Sequence, residues 1–296
     1  MKRHCIQIPG LLASAVLWCH FATAQAPTPS TGPATNRENS NQSQPVLQHR
    51  STDRADQPSP RRDANSQLAH EQLVEKAKKG GIDIYFEGDS ITRRWGTSDA
   101  QYRENLANWN TNFFGWNAGN FGWGADRIQN ILWRLENGEL DGVNPKIIVL
   151  LAGINNVGTQ PGDDARVEDI TRGLKAVIDV CQEKAPNATI ILTGIFPRND
   201  NLAVIPTINR INDNLARFAD GKKVRYLNVN DKLADKDGKL FDGMSRDKLH
   251  PTVKGYQVWA DGLKPVFTEL LGPPAATDHA PPPTGDPSAV RASSRQ

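Results

Sequence analysis

Four short stretches of the chain carry residues that could do chemistry. Gly88-Asp89-Ser90 places a hydroxyl directly behind a glycine able to make a tight turn. Asp247-Lys248-Leu249-His250 spaces a carboxylate and an imidazole so that they can meet on one turn. A carboxylate placed so can accept from Nδ1–H and leave Nε2 free as a base, the arrangement that activates a serine hydroxyl as a nucleophile. The run Asn120-Phe121-Gly122-Trp123-Gly124-Ala125-Asp126 exposes backbone N–H groups that could cradle a phosphate or an oxyanion. It lacks the Lys-Ser/Thr ending of a phosphate-binding loop and does not fit a dinucleotide fingerprint. In Gly153-Ile154-Asn155-Asn156, the Asn155 amide could donate to an oxyanion. Each stretch has an ordinary alternative: a helix cap, a plain turn, an Asn turn, a surface His-Pro turn.

Counting histidines narrows the choice of base. They stand at 4, 20, 49, 70, 250 and 279. Two fall in an N-terminal leader, two in polar tails, and His70 precedes the first strand. His250 is the candidate that remains. The same count leaves no zinc site built from several His and Cys ligands, and no metal or cofactor is expected.

These stretches need a scaffold, and hydropathy supplies its outline. A helix is expected over 67–79 and a short strand over 82–86. A second extended run follows at 116–121. Ile128, Ile131, Leu132 and Leu135 recur at helical spacing over 127–135. Residues 147–151 form a continuous apolar run of strand length, as a strand covered on both faces requires. Helices over 167–184, 206–218 and 252–271 alternate with strands over 189–192 and 224–229. Such alternation implies a parallel sheet with helices on both faces. Ligands then bind beyond the carboxyl ends of the strands, where the first three of these stretches along the chain lie; Asp247–His250 stands nearer the C-terminus.

Composition sets the limits of the folded part. The chain has 296 residues, of which 38% are hydrophobic, lean for a fully globular chain. Met1–His4 is basic, an apolar run reaches Trp18, and Ala22-Thr23-Ala24 has the small-x-small form of a cleavage site. A signal peptide over 1–24 and export, periplasmic or secreted, are expected. The run is too short to span a bilayer, and no later segment would cross one. Residues 25–65 and 273–296 are rich in proline and polar residues and are expected to be disordered, leaving a domain over 66–272. Removing Lys2 and Arg3 from the 35 basic residues leaves 33, equal to the 33 acidic ones. That balance argues against a nucleic-acid partner. Cleavage would leave Cys181 alone, so no internal disulfide is expected.

Taken in this order, the motifs resemble the SGNH hydrolase (GDSL esterase/lipase) superfamily, especially its platelet-activating-factor acetylhydrolase Ib catalytic-subunit type. The likeness is most specific over 120–140, where Trp133-Arg134-Leu135-Glu136-Asn137-Gly138-Glu139-Leu140 matches the family's stretch. The resemblance implies a three-layer α/β/α sandwich with a five-stranded parallel sheet. It implies Ser90 as nucleophile, Asp247 and His250 completing the triad, and the Ser90 amide with Asn155 in the oxyanion hole. The family usually has Gly where this chain has Ala125. The Ala125 amide can still donate if its φ is negative; otherwise Gly124 is the alternative donor. The activity implied is hydrolysis of short acyl esters, O-acetyl groups foremost, on a small molecule or polysaccharide. Trp123, beside the oxyanion motif, could pack against a sugar ring. The rival is a non-catalytic carbohydrate-binding or surface-interaction protein that keeps the fold.

Overall fold

The structure, a computed structural model, describes residues 54–289. In chain order it contains α1 (Ala64–Lys79), β1 (Ile84–Gly88), α2 (Ser90–Trp95), α3 (Arg103–Phe113), β2 (Ala118–Asn120), α4 (Ile128–Arg134), β3 (Ile147–Leu151), α5 (Ile154–Val157), α6 (Asp164–Lys184), β4 (Thr189–Thr193), α7 (Ile205–Ala216), β5 (Val224–Leu227), α8 (Asn230–Leu233) and α9 (Val253–Leu271). A π turn at Leu135–Glu139 continues α4. The signal-peptide expectation over 1–24 lies outside the described residues.

All five strands run parallel, in the order β2-β1-β3-β4-β5. The chain therefore steps from β1 to one neighbour, then returns across β1 to build the rest. Right-handed crossovers put α2 and α3 on one face and α4, α6 and α7 on the other. The packing agrees: α4 meets α6 and α6 meets α7, whereas α3 meets α9 and α2. This is the expected three-layer α/β/α sandwich. The reversal leaves a crevice beyond the ends of β1 and β3, and Ser90 and Asn155 follow those two strands. Residues 147–151 and 84–86 are almost wholly buried, which explains their unbroken apolar character.

Both tails correct the expectation of disorder as far as they are described. Ala55 is fully buried, and its N–H donates to the Asp169 carboxylate at 3.2 Å. The Ser59 N–H donates to Gln129 O at 2.9 Å. At the other end, the Ala275 N–H donates to Gly115 O at 2.8 Å, and the Asp278 carboxylate accepts from the Gly115 N–H at 2.8 Å. Thr284 O accepts from the Thr97 hydroxyl at 3.1 Å, and Asp286 accepts from Asn65 Nδ2 at 2.8 Å. Composition reports the apolar surface a segment can bury by itself. These segments are held instead by polar bonds to a domain that already exists, so residues 54–65 and 273–289 belong to it.

Candidate active site

Ser90 opens a helix too short to hold itself. Its shape comes from its surroundings. The Asp89 side chain caps it by accepting from the Ile91 N–H at 2.9 Å. At its far end Trp95 is fully buried, stacked on Tyr256 at 4.9 Å and on Trp259 at 5.0 Å between ring centroids. The Tyr256 hydroxyl donates to Ile91 O at 2.7 Å, tying α9 to α2. Asn120 Nδ2 donates to Thr92 O at 2.7 Å from the end of β2. Gly88 lies so close to Leu151 O and the Thr92 side chain that a β-carbon there would collide with both. Gly88-Asp89-Ser90 therefore needs its glycine for close approach.

His250 reaches Ser90 from the loop before α9. Its Nε2 stands 2.9 Å from Ser90 Oγ, and its Nδ1 stands 2.7 Å from Asp247 Oδ2. Asp247 Oδ1 accepts from the amides of His250 at 2.8 Å and Leu249 at 3.1 Å. Lys248 completes this turn at φ 70°, and its carbonyl accepts from the Asn199 N–H at 2.7 Å. The segment after β4 thus supports the His250 turn. Partial burial works against ionising Asp247, but the two amides and the His250 ring outweigh it and hold the carboxyl well below the usual carboxylate range. Burial and then the charge of Arg94 push the His250 imidazole down, against the pull of Asp247. A neutral imidazole with Nδ1–H given to a carboxylate has Nε2 free to take a hydroxyl proton.

The Gly-rich loop is pinned beside the end of β1, with the Trp123 N–H donating to Gly88 O at 3.1 Å. Asn155 Nδ2 donates to Asp126 O at 2.8 Å, joining the turn after β3 to the same loop. Beneath it lies a buried charge cluster. Arg134 Nε contacts Asp126 Oδ2 at 2.7 Å and Nη2 contacts Glu87 Oε1 at 2.6 Å, while Nη1 pairs with Glu139. His70 Nδ1 lies 2.7 Å from Glu139 Oε1. Arg61 Nη1 adds a second cation 3.3 Å from Asp126 Oδ1, but Glu87 and Glu139 must share Arg134. Burial, with Glu139 nearby, accordingly raises the Glu87 carboxyl well above its usual range.

A model of the GDSL-like lipase/acylhydrolase family matches residues 86–258. The chain belongs to this family. It is therefore a carboxylic ester hydrolase. It is 29% identical over 204 residues to platelet-activating factor acetylhydrolase IB subunit alpha1 of Bos taurus, covering 68% of this chain and 82% of that protein. The alpha2 subunit of Rattus norvegicus is 28% identical, covering 68% and 83%. Among solved structures, a GDSL-like lipase from Bacteroides thetaiotaomicron superposes with a TM-score of 0.54 at 18% identity, covering 68% of this chain and 98% of that one. A lipolytic protein of the G-D-S-L family from Veillonella parvula gives 0.51 at 21% identity, covering 64% and 100%. These superpositions support the fold.

Within this GDSL-like hydrolase, Ser90, His250 and Asp247 form one hydrogen-bonded chain, and Asn155 meets the Gly-rich loop. Two expectations need correction. Ala125 has φ 63°, not the negative value expected of an alanine donor, so the loop keeps a conformation suited to glycine. Trp123 is buried: its Nε1 donates to Ser66 Oγ at 2.8 Å and Arg93 stacks 4.5 Å from its ring. It braces α1 against α2 and does not line the cavity beside His250. Nearness in sequence to the oxyanion motif said nothing of the partner waiting on α1. The Glu87–Arg134–Asp126 cluster escaped sequence reasoning, although a glutamate inside an apolar strand was a visible signal.

Proposed function

We propose that the chain is an exported serine esterase that removes short acyl groups, O-acetyl foremost, from carbohydrate esters. The observation that carries the triad assignment is the continuous contact Ser90 Oγ–His250 Nε2–His250 Nδ1–Asp247 Oδ2, at 2.9 and 2.7 Å. His250 takes the Ser90 proton as Oγ bonds to the ester carbonyl carbon. Asp247 holds the tautomer and stabilises the imidazolium. The tetrahedral oxyanion is met by the Ser90 amide, the Asn155 side chain and the Ala125 amide, because the alanine holds the glycine-like φ of 63° and so keeps the main-chain N–H where the family's glycine would have it. Among the described residues the Ala125 N–H has no hydrogen-bond acceptor, which leaves it available. Gly124 shares that property and is the alternative donor. His250 returns the proton to the leaving alcohol, the carbon–oxygen bond breaks, and water then hydrolyses the acyl-enzyme through the same base.

Export rests on the leader-like sequence of residues 1–24. The carbohydrate preference rests on export and on the polar side chains of Tyr102, Asn105 and Thr252 in the wall of the cavity beside the triad. Among the described residues no helix is long and apolar enough to cross a membrane.

Labelling with a fluorophosphonate probe tests the nucleophile: wild-type protein should be modified at Ser90, and Ser90→Ala should not. Acetyl release from acetylated xylan, set against hydrolysis of octanoyl esters, tests the substrate. Preference for octanoyl esters would overturn the acetyl assignment. A folded wild-type chain that ignores the probe would favour the binding-protein reading, to which the alanine at position 125 is the one pointer.

A further inference from the structure

We propose that Arg94 is a positioning residue that clamps Asp247 from the nucleophile's own helix. This inference rests on the triad reading above. Arg94 Nη1 lies 3.0 Å from Asp247 Oδ2, the same oxygen that receives His250 Nδ1 at 2.7 Å. The other oxygen is taken up by the loop itself, through the His250 and Leu249 amides and the Ser245 hydroxyl at 3.3 Å. Among the described residues Arg94 therefore supplies the one link from outside the loop that acts on the oxygen facing His250.

The position of Arg94 makes that link useful. It stands four residues after Ser90 on α2, so the two share a helix face one turn apart. Ser90, His250, Asp247 and Arg94 then form a ring closed by the helix backbone. Within the loop only the single bridge between Ser245 and Pro251 provides sheet-like pairing. Asp247 also needs a guard. Its side chain is 48% exposed beside a cavity of about 500 Å³, where water can compete for Oδ2. The guanidinium occupies that approach and is itself seated, 5.3 Å from the Tyr102 ring centre, while the Arg94 carbonyl accepts from Asn105 Nδ2 at 3.1 Å.

The charge acts on the base as well. The groups facing His250 are Ser90 and Arg94 from α2, Arg198 from the segment after β4, and Asp247 from its own loop. Two cations oppose protonation of the imidazole and one anion favours it. Arg94 thus keeps the resting base free at lower pH, in addition to fixing its orientation.

Three variants separate geometry from charge. Arg94→Lys keeps the charge, Arg94→Gln keeps a donor without charge, and Arg94→Ala removes both. Their kcat and KM on p-nitrophenyl acetate would be measured across pH, and the His250 imidazole would be titrated by NMR, assigned with His250→Asn. Arg94→Ala should lower kcat about tenfold with KM nearly unchanged. Its acidic limb and the His250 titration should both move to higher pH. Arg94→Lys should hold the limb where the wild type has it, and Arg94→Gln should recover kcat in part with the limb still displaced. A wild-type limb and titration in both Arg94→Ala and Arg94→Gln would overturn the proposal. If Arg94→Ala fails to fold, the Lys and Gln pair decides. If the wild-type chain turns over no ester, the esterase reading fails, and the NMR titration still settles the role of Arg94.

Discussion

The side-chain amide of Asn155 donates to the main-chain carbonyl of Asp126, 2.8 Å away, and so ties the turn after β3 to the Gly-rich loop. Asn155 would both donate to the oxyanion and hold the loop that carries the Ala125 amide. Asn155→Ala should lower kcat on p-nitrophenyl acetate about 10²–10³-fold, with a smaller effect on KM. Steady-state kinetics check this.

Ser90→Ala and His250→Ala should each abolish nearly all turnover, by about 10⁴–10⁶-fold. Because the two act as a unit, the double variant should be no worse than either single one. Unchanged hydrolysis by purified Ser90→Ala protein would end the assignment.

Ala125 sits in the left-handed region, where an alanine costs about 1–2 kcal/mol over glycine, less the extra chain entropy of glycine. Ala125→Gly should therefore raise stability by up to about 1 kcal/mol, read from urea denaturation. If the strained backbone already places the amide for donation, kcat should stay within a factor of a few.

Burial pushes the Asp89 carboxyl up to about 7, with the nearby Asp126 adding to the shift. The folded state then holds this proton more tightly than the unfolded chain, whose carboxyl titrates at the ordinary aspartate value of 3.8. The stability Asp89 contributes is complete below that value and is lost as pH rises through about 7. Asp89→Asn keeps the cap on the Ile91 N–H and cannot ionise. Relative to the wild type it should gain about 1–3 kcal/mol between pH 5 and pH 8, measured by denaturation at both.

Arg134 is the cation shared by all three buried carboxylates, Glu87, Asp126 and Glu139, whereas Arg61 reaches Asp126 alone. Arg134→Met would leave those charges without their partner and should destabilise the fold by about 3–5 kcal/mol. Thermal unfolding would show it. A milder loss would mean the carboxylates are already largely protonated.

Much of this architecture was legible in the sequence, for identifiable reasons. The run at 147–151 reads as a strand because it is covered on both faces, and its observed bounds agree. The first strand was expected over 82–86 and runs over Ile84–Gly88, because the polar Glu87 and the glycine disguised its end. A helix start at Ser90 was expected, though not how short the helix is, and α3 was not foreseen. α2 is too short to show periodicity and is shaped by Trp95 and Tyr256, while α3 has little apolar contrast. The chemistry-bearing residues could be read from motif order because each follows a strand end or precedes a helix. Arg94 could not be, since its partner lies far along the chain and only the fold brings Asp247 to it.

The stretch that follows Gly272 has a practical corollary for anyone trimming or tagging the protein. A stop placed at the end of α9 would pass for a tidy terminus. It would nonetheless strip Gly115, Thr97 and Asn65 of acceptors they now use and uncover the flank of α2. Affinity handles belong past residue 289, where they leave those attachments intact.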